Sequence, residues 1–158
     1  MALIAFERRC PLPPAEAWRR VTDWPRHSAG VPLTRITATP PGPTRVGTVV
    51  LARTGLWRLG FDDPMDVVRW EPPDEGRPGR CRLVKRGRVV TGWAEIEVRA
   101  DGRGSWVGWR EDARVRALPR LFDAPTARAG RLVFGRVVDT LLAGPGGSAE
   151  TGRGAPPA

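Results

Sequence analysis

Glu111, Lys85 and Asp63 are the charged residues whose placement among apolar neighbours could do chemistry in this chain. Glu111 lies in Ser105 to Val115 (SWVGWREDARV), a stretch alternating at period two that puts it on the same side as Trp109. A carboxylate in an apolar pocket is pushed toward its neutral form. There it could orient a hydroxyl or amine of a ligand, or act as a general acid or base. The structural alternative is an ion pair with an arginine at the cavity mouth, such as Arg53 or Arg114. Lys85, the only lysine, shares this face near a hairpin tip. It reads as a solvated hairpin-end charge, with anchoring of a ligand carboxylate at the cavity entrance as the alternative. Asp63 shares parity with Phe61, Met65 and Val67. It is a second polar pocket residue if that side faces inward, and part of a strand-entry turn, Asp62-Asp63-Pro64, if it does not; the turn is the preferred reading.

Other chemistries find no support. His27 is the only histidine and lies in a helix-turn segment, without the Gly-x-Ser-x-Gly elbow of a Ser-His-Asp hydrolase. One histidine with the two distant cysteines, Cys10 and Cys81, makes no zinc site. Adjacent carboxylates at Asp62 and Asp63 point to opposite faces of a strand and make no hard-cation site. Phosphate-binding glycine motifs are absent. No metal and no cofactor is expected.

The elements that must hold Glu111 and Lys85 are three period-two segments, Arg80 to Arg86, Arg88 to Arg99 and Ser105 to Val115. Turns of two residues at Arg86-Gly87 and Asp101-Gly102 pair them as hairpins. Leu83 then faces Val90, Cys81 faces Gly92, Ala94 faces Trp109, Ile96 faces Val107, and Gly92 faces Glu111. Trp93 and Trp106 fall outside, Trp93 across from Arg110. The inner face is apolar but small in its middle, a hollow where a covering sheet would place bulk. A one-residue slip would turn Glu111 outward.

Before these hairpins, residues 2–9 read as a strand and 14–23 as a short amphipathic helix opened by Pro13-Pro14 and ended by Pro25. A helical turn follows near 26–31. Leu33 to Thr39, Val46 to Arg53 and part of Phe61 to Trp70 read as strands. Thr54 to Gly60 (TGLWRLG) is a glycine-bracketed apolar loop that could gate a cavity, with Trp57 at its centre. Arg120 to Ala143 is the one long helix, with Phe122, Ala129, Val133, Val137 and Leu141 in its apolar stripe. Strand, short helices, about six strands and one long helix make an α+β chain with an antiparallel sheet.

The chain is 158 residues long and 41% hydrophobic, enough for one domain with a real core. That domain is expected over 1–143, with 144–158 (GPGGSAETGRGAPPA) as a disordered tail. The formal charge of +9 is almost all arginine, spread along the chain; with no Asn, Gln or Tyr it reflects a GC-rich coding sequence more than a nucleic-acid surface. Specific nucleic-acid binding and membrane insertion are not expected, and a cytoplasmic location is. Oligomeric state is left open.

Several segments together resemble the START/polyketide-cyclase-like (SRPBCC) superfamily. They are Ala17-Trp18-Arg19-Arg20-Val21-Thr22-Asp23-Trp24-Pro25, Val46-Gly47-Thr48, and Phe61 through Pro73 with its Trp-x-Pro-Pro end. Lys85 through Ala94, Trp109 to Asp112 and the closing helix complete the order. The resemblance covers about residues 3–143. It implies a helix-grip fold, a curved antiparallel sheet of seven strands around a long C-terminal helix, with two short helices after the first strand. Relatives bind lipid-, hormone- or polyketide-like molecules, and some catalyse cyclisation or dehydration. The expected function is binding or carrying a small hydrophobic molecule, with a cyclase- or dehydratase-like reaction at Glu111 as the alternative. The expected lining is Trp109, Glu111, Leu83, Ile96, Met65, Phe61, Asp63 and Lys85 from the sheet, Trp57 from the gate, and Phe122, Val133 and Val137 from the helix.

Overall fold

The computed structural model describes residues 2–31, 33–56, 59–116 and 119–144. Trp57 and all but the first residue of the expected tail therefore lie outside the described residues. Strand β1 (Ala2–Cys10) leads into α1 (Pro14–Val21) and α2 (Trp24–His27), followed by a single 3-10 turn (Ser28–Gly30). Strands β2 (Thr34–Thr39), β3 (Val49–Leu56), β4 (Leu59–Glu71), β5 (Gly79–Arg86), β6 (Val90–Asp101) and β7 (Gly104–Val115) then run in succession. A second 3-10 turn (Arg120–Phe122) enters α3 (Asp123–Ala143). The strands form one antiparallel seven-stranded sheet in the order β1-β7-β6-β5-β4-β3-β2. Each of β2 to β6 pairs with its successor, and β1 closes on β7. This is the helix-grip arrangement, a curved sheet with one long helix laid across its inner side.

Prolines set the start of the short helices. Pro14 occupies the first turn of α1, where its missing N–H costs nothing. Pro25 does the same in α2, so it begins a helix where the sequence reading had it end one. Trp18, Val21 and Trp24 from these helices are buried and fill one end of the space under α3. At that end Val137, Val138, Leu141 and Leu142 of α3 are buried. Each such side chain is worth about 1.5–3 kcal/mol in removal from water. Ile96 and Val98 of β6 and Val107 of β7 are fully buried. The other end, under the first half of α3, is not filled.

The hairpin registers differ from the expected ones in a regular way. Leu83 meets Ala94 where Val90 was expected, a displacement of four residues. Ala94 meets Glu111 where Trp109 was expected, a displacement of two. The second arises because Asp101 pairs with Gly104, which puts Gly102 first in the turn at φ +60°. A glycine-first turn suits the twist of the flanking strands as well as the Asp-Gly turn would. The first arises because residues 87–90 all lie between the paired Arg86 and Thr91, with the Val89 carbonyl taken by the N–H of Arg116. Both displacements are even, so every inward side chain stays inward. On the outer face Trp93 stacks under Arg82 at 4.5 Å instead of Arg110, and Trp106 under Arg99 at 4.4 Å.

Two expected loops are strand. Asp62, Asp63 and Pro64 pair with Arg53, Ala52 and Leu51 inside the β3–β4 ladder, so the strand-entry turn is corrected to mid-strand. The ladder also continues through Gly55–Gly60 to Leu56–Leu59, so the described residues of the expected gate loop are strand, and residues 57 and 58 lie outside the described residues. Gly60 permits this: a Cβ there would stand 2.9 Å from the Thr54 carbonyl oxygen. Among the described residues no helix is long and apolar enough to cross a membrane.

Candidate functional site

The unfilled end is a cavity of about 350 Å³ between the sheet and α3. Small residues on the sheet make the room. Gly92 sits at φ +135°, and a Cβ there would fall 1.8 Å from the Asp112 carbonyl oxygen, so only glycine fits. Ala94 follows it on the same face of β6, and Ala113 is its cross-strand partner. On the helix side Gly130 lets α3 approach β1, since a Cβ there would stand 2.3 Å from Ile4 Cδ1.

Of the residues singled out from sequence, Phe61, Asp63 and Met65 on β4, Leu83 and Lys85 on β5, Trp109 and Glu111 on β7 and Val133 on α3 stand together around this space. Ile96 is fully buried but one residue pair further along the sheet, in the filled core. Val137 lies one helical turn beyond Val133 and packs where Gly30 comes close, so it too belongs to the filled end. Phe122 is 43% exposed, because the helix begins only at Asp123 and the preceding 3-10 turn carries the ring away from the stripe.

Lys85 is the centre of the polar part of the cavity. It is 8% exposed and forms ion pairs with Asp63 Oδ2 at 2.7 Å and Glu111 Oε1 at 3.2 Å. Its third contact is with the Met65 sulfur at 3.5 Å, a weak acceptor. The solvated hairpin-end reading of Lys85 is thus corrected: the displaced register puts Lys85 opposite Gly92, with no side chain to block its reach toward β7. Burial opposes the charge on Lys85, but the Glu111 and Asp63 carboxylates outweigh it and hold the ammonium above the ordinary lysine range. Neither Arg53 nor Arg114 pairs with Glu111; Arg53 pairs with Asp62 on the outside. The second Glu111 oxygen accepts from Trp109 Nε1–H at 3.2 Å. Asp63 Oδ1 has no hydrogen-bond partner among the described residues.

An aromatic column forms one wall. Trp109 stacks between Phe6 of β1 (centroids 6.0 Å apart) and Phe134 of α3 (5.7 Å). His27 lies 6.1 Å from the Trp109 ring and lines the cavity. Its Nε2–H donates to the Val21 carbonyl oxygen at 2.9 Å, which leaves Nδ1 as the acceptor. Burial holds this imidazole below its ordinary range, against the Val21 bond and the Asp23 charge.

The sequence reading missed His27, Trp24, Ile4, Val50 and Phe134 as lining residues. Trp24 and His27 are three residues apart, the spacing of one helical face, and that signal was available. Phe134 was not legible, because it flanks the stripe and turns inward only where Gly130 draws α3 down. Among the described residues no group of three or more His, Cys, Asp or Glu could hold a metal ion.

No family model and no curated protein matches the sequence. Solved structures do match in fold. Ara h 8.0201 aligns with TM-score 0.59 and 15% identity over 89% of this chain and 97% of its own. Protein CV1439 from Chromobacterium violaceum aligns at TM-score 0.64 and 15% identity, covering 90% of this chain and 96% of that one. DynU16, a protein of the dynemicin biosynthetic locus, aligns at TM-score 0.55 and 17% identity, covering 88% of this chain and 46% of DynU16. These solved structures share the helix-grip fold of this chain.

Proposed function

We propose that this protein binds and carries a small, largely apolar molecule in the cavity between its sheet and α3. The observation that carries the reading is a 350 Å³ space walled by aliphatic and aromatic side chains with one buried cluster of charge. That volume falls within the range of small-molecule sites, about 300–1,000 Å³. Buried ion clusters stabilise a fold no better than apolar packing of the same volume. Charge kept at the floor of an apolar space therefore fits recognition of a ligand's polar end. The ligand-facing residues are Phe61, Asp63, Met65, Leu83, Lys85, Trp109, Glu111 and Val133.

Native mass spectrometry of freshly purified protein tests this, with Ala113→Phe as the control that fills the cavity. A co-purified small molecule on the natural chain, absent from the Ala113→Phe chain, is the expected result. If neither chain carries one and no apolar probe binds, the reading fails.

A second reading has one observation behind it: Glu111 is 3% exposed and lines the cavity. In that reading it is the acid or base of a cyclisation or dehydration, and DynU16's biosynthetic locus is the kind of setting such a reaction would have. Glu111→Gln separates the two. Retained binding with lost turnover of a bound substrate favours catalysis, and a natural chain that binds without any turnover favours binding alone.

A further inference from the structure

The charge count of the cluster specifies the polar end of the ligand. With both carboxylates ionised and Lys85 protonated, Asp63, Glu111 and Lys85 sum to one net negative charge. Among the described lining residues there is no second cation: the other polar ones are His27 and three threonines, and His27 is held neutral by burial. Asp63 is 6% exposed, yet its Oδ1 has no hydrogen-bond donor. A buried carboxylate oxygen without a donor is a costly group, and it adds to the excess of acceptors in the cluster.

From this excess of acceptors and of negative charge we infer that the cavity takes an apolar molecule bearing one protonated amine, its N–H groups directed at Asp63 and Glu111. The inference rests on the cavity being a ligand site. An alcohol would supply a donor but leave the charge uncompensated. A carboxylate or phosphate would add like charge beside two buried carboxylates. The rings of Trp24 and Phe61 in the same lining suit an ammonium group as well as an alkyl chain.

The test is displacement of the neutral dye N-phenylnaphthylamine by octylamine, octanol and octanoate at neutral pH, three ligands of one chain length. Octylamine is expected to displace the dye at a concentration about tenfold lower than octanol, with octanoate weakest, a gap of about 1.4 kcal/mol. In Asp63→Asn and Glu111→Gln, each checked for folding by circular dichroism, the amine-to-alcohol ratio should shrink toward unity, and a ratio unchanged from the natural chain overturns the inference. An amine no better than the alcohol, or a carboxylate that binds best, overturns the inference and leaves the cavity reading standing. A chain that does not bind the dye at all overturns both.

Discussion

Lys85 and Glu111 sit on strands that are not neighbours, and their side chains meet at 3.2 Å above the strand between them. β6 passes beneath the contact with Gly92 opposite Lys85 and Ala94 opposite Glu111. Two small residues in register are what allow the bridge. Removing the cation alone should leave two buried carboxylates facing each other, so Lys85→Met should cost about 3–5 kcal/mol in urea unfolding. Neutralising all three, with Asp63→Asn and Glu111→Gln added, should recover most of that loss. In the natural chain the Lys85 contribution is complete below its ordinary range, about pH 10.4, and is lost as pH rises through its higher folded value.

Gly92 and Gly102 both hold positive φ, at +135° and +60°, but for different reasons. A methyl at Gly102 meets nothing within 4 Å, whereas at Gly92 it meets backbone oxygen at 1.8 Å. Gly102→Ala should cost about 1 kcal/mol, the price of a left-handed alanine. Gly92→Ala should break the β6–β7 ladder, read as loss of slow amide exchange in both strands.

His27 is depressed by burial, so the unfolded chain binds a proton that the folded chain refuses. Stability should therefore fall as pH drops below about 6.5, by up to about 1.4 kcal/mol per unit until the folded value is reached. The comparison of His27→Gln with the natural chain by urea titration at several pH values isolates this slope. A variant with the same slope as the natural chain would contradict the neutral assignment.

Cys81 is fully buried, and burial, with the Glu95 charge adding to it, pushes its thiol up to about 12. Cys10 is only partly buried. A thiol reagent at neutral pH should label Cys10 in the folded chain and reach Cys81 only on unfolding. Labelling of Cys81 at the rate of Cys10 would show that the filled end of the core opens locally.

How the fold could be read from the sequence follows from what period and punctuation encode. Alternation placed Leu83, Trp109 and Glu111 on one face, and the apolar stripe of Arg120 to Ala143 placed the helix. Pairing was less legible, because it depends on which turn residue takes positive φ, and an Asp-Gly pair permits two placements of Gly102. The burial of Lys85 was misread for another reason: four residues, 87–90, separate Arg86 from Thr91 where a two-residue turn was expected, and that register sets Lys85 opposite Gly92. Ile96, Val137 and Phe122 carry the right pattern for an inner face. What divides that face into packed and hollow ends is where Trp18, Val21 and Trp24 insert, and periodicity along one strand or helix does not report that.

The even displacement of the two hairpins has a bearing on how this scaffold tolerates changes in length. A connection lengthened or shortened by a pair of residues exchanges cross-strand partners yet leaves every side chain on its side of the sheet. A change by one residue everts the strand, sending Glu111 to solvent and Arg110 or Asp112 into the cavity. The hairpin loops beside residues 87–90 and 102–103 are thus quantised in steps of two. Variation in them by whole steps would re-shape the cavity wall, and so retune what fits, without dismantling it.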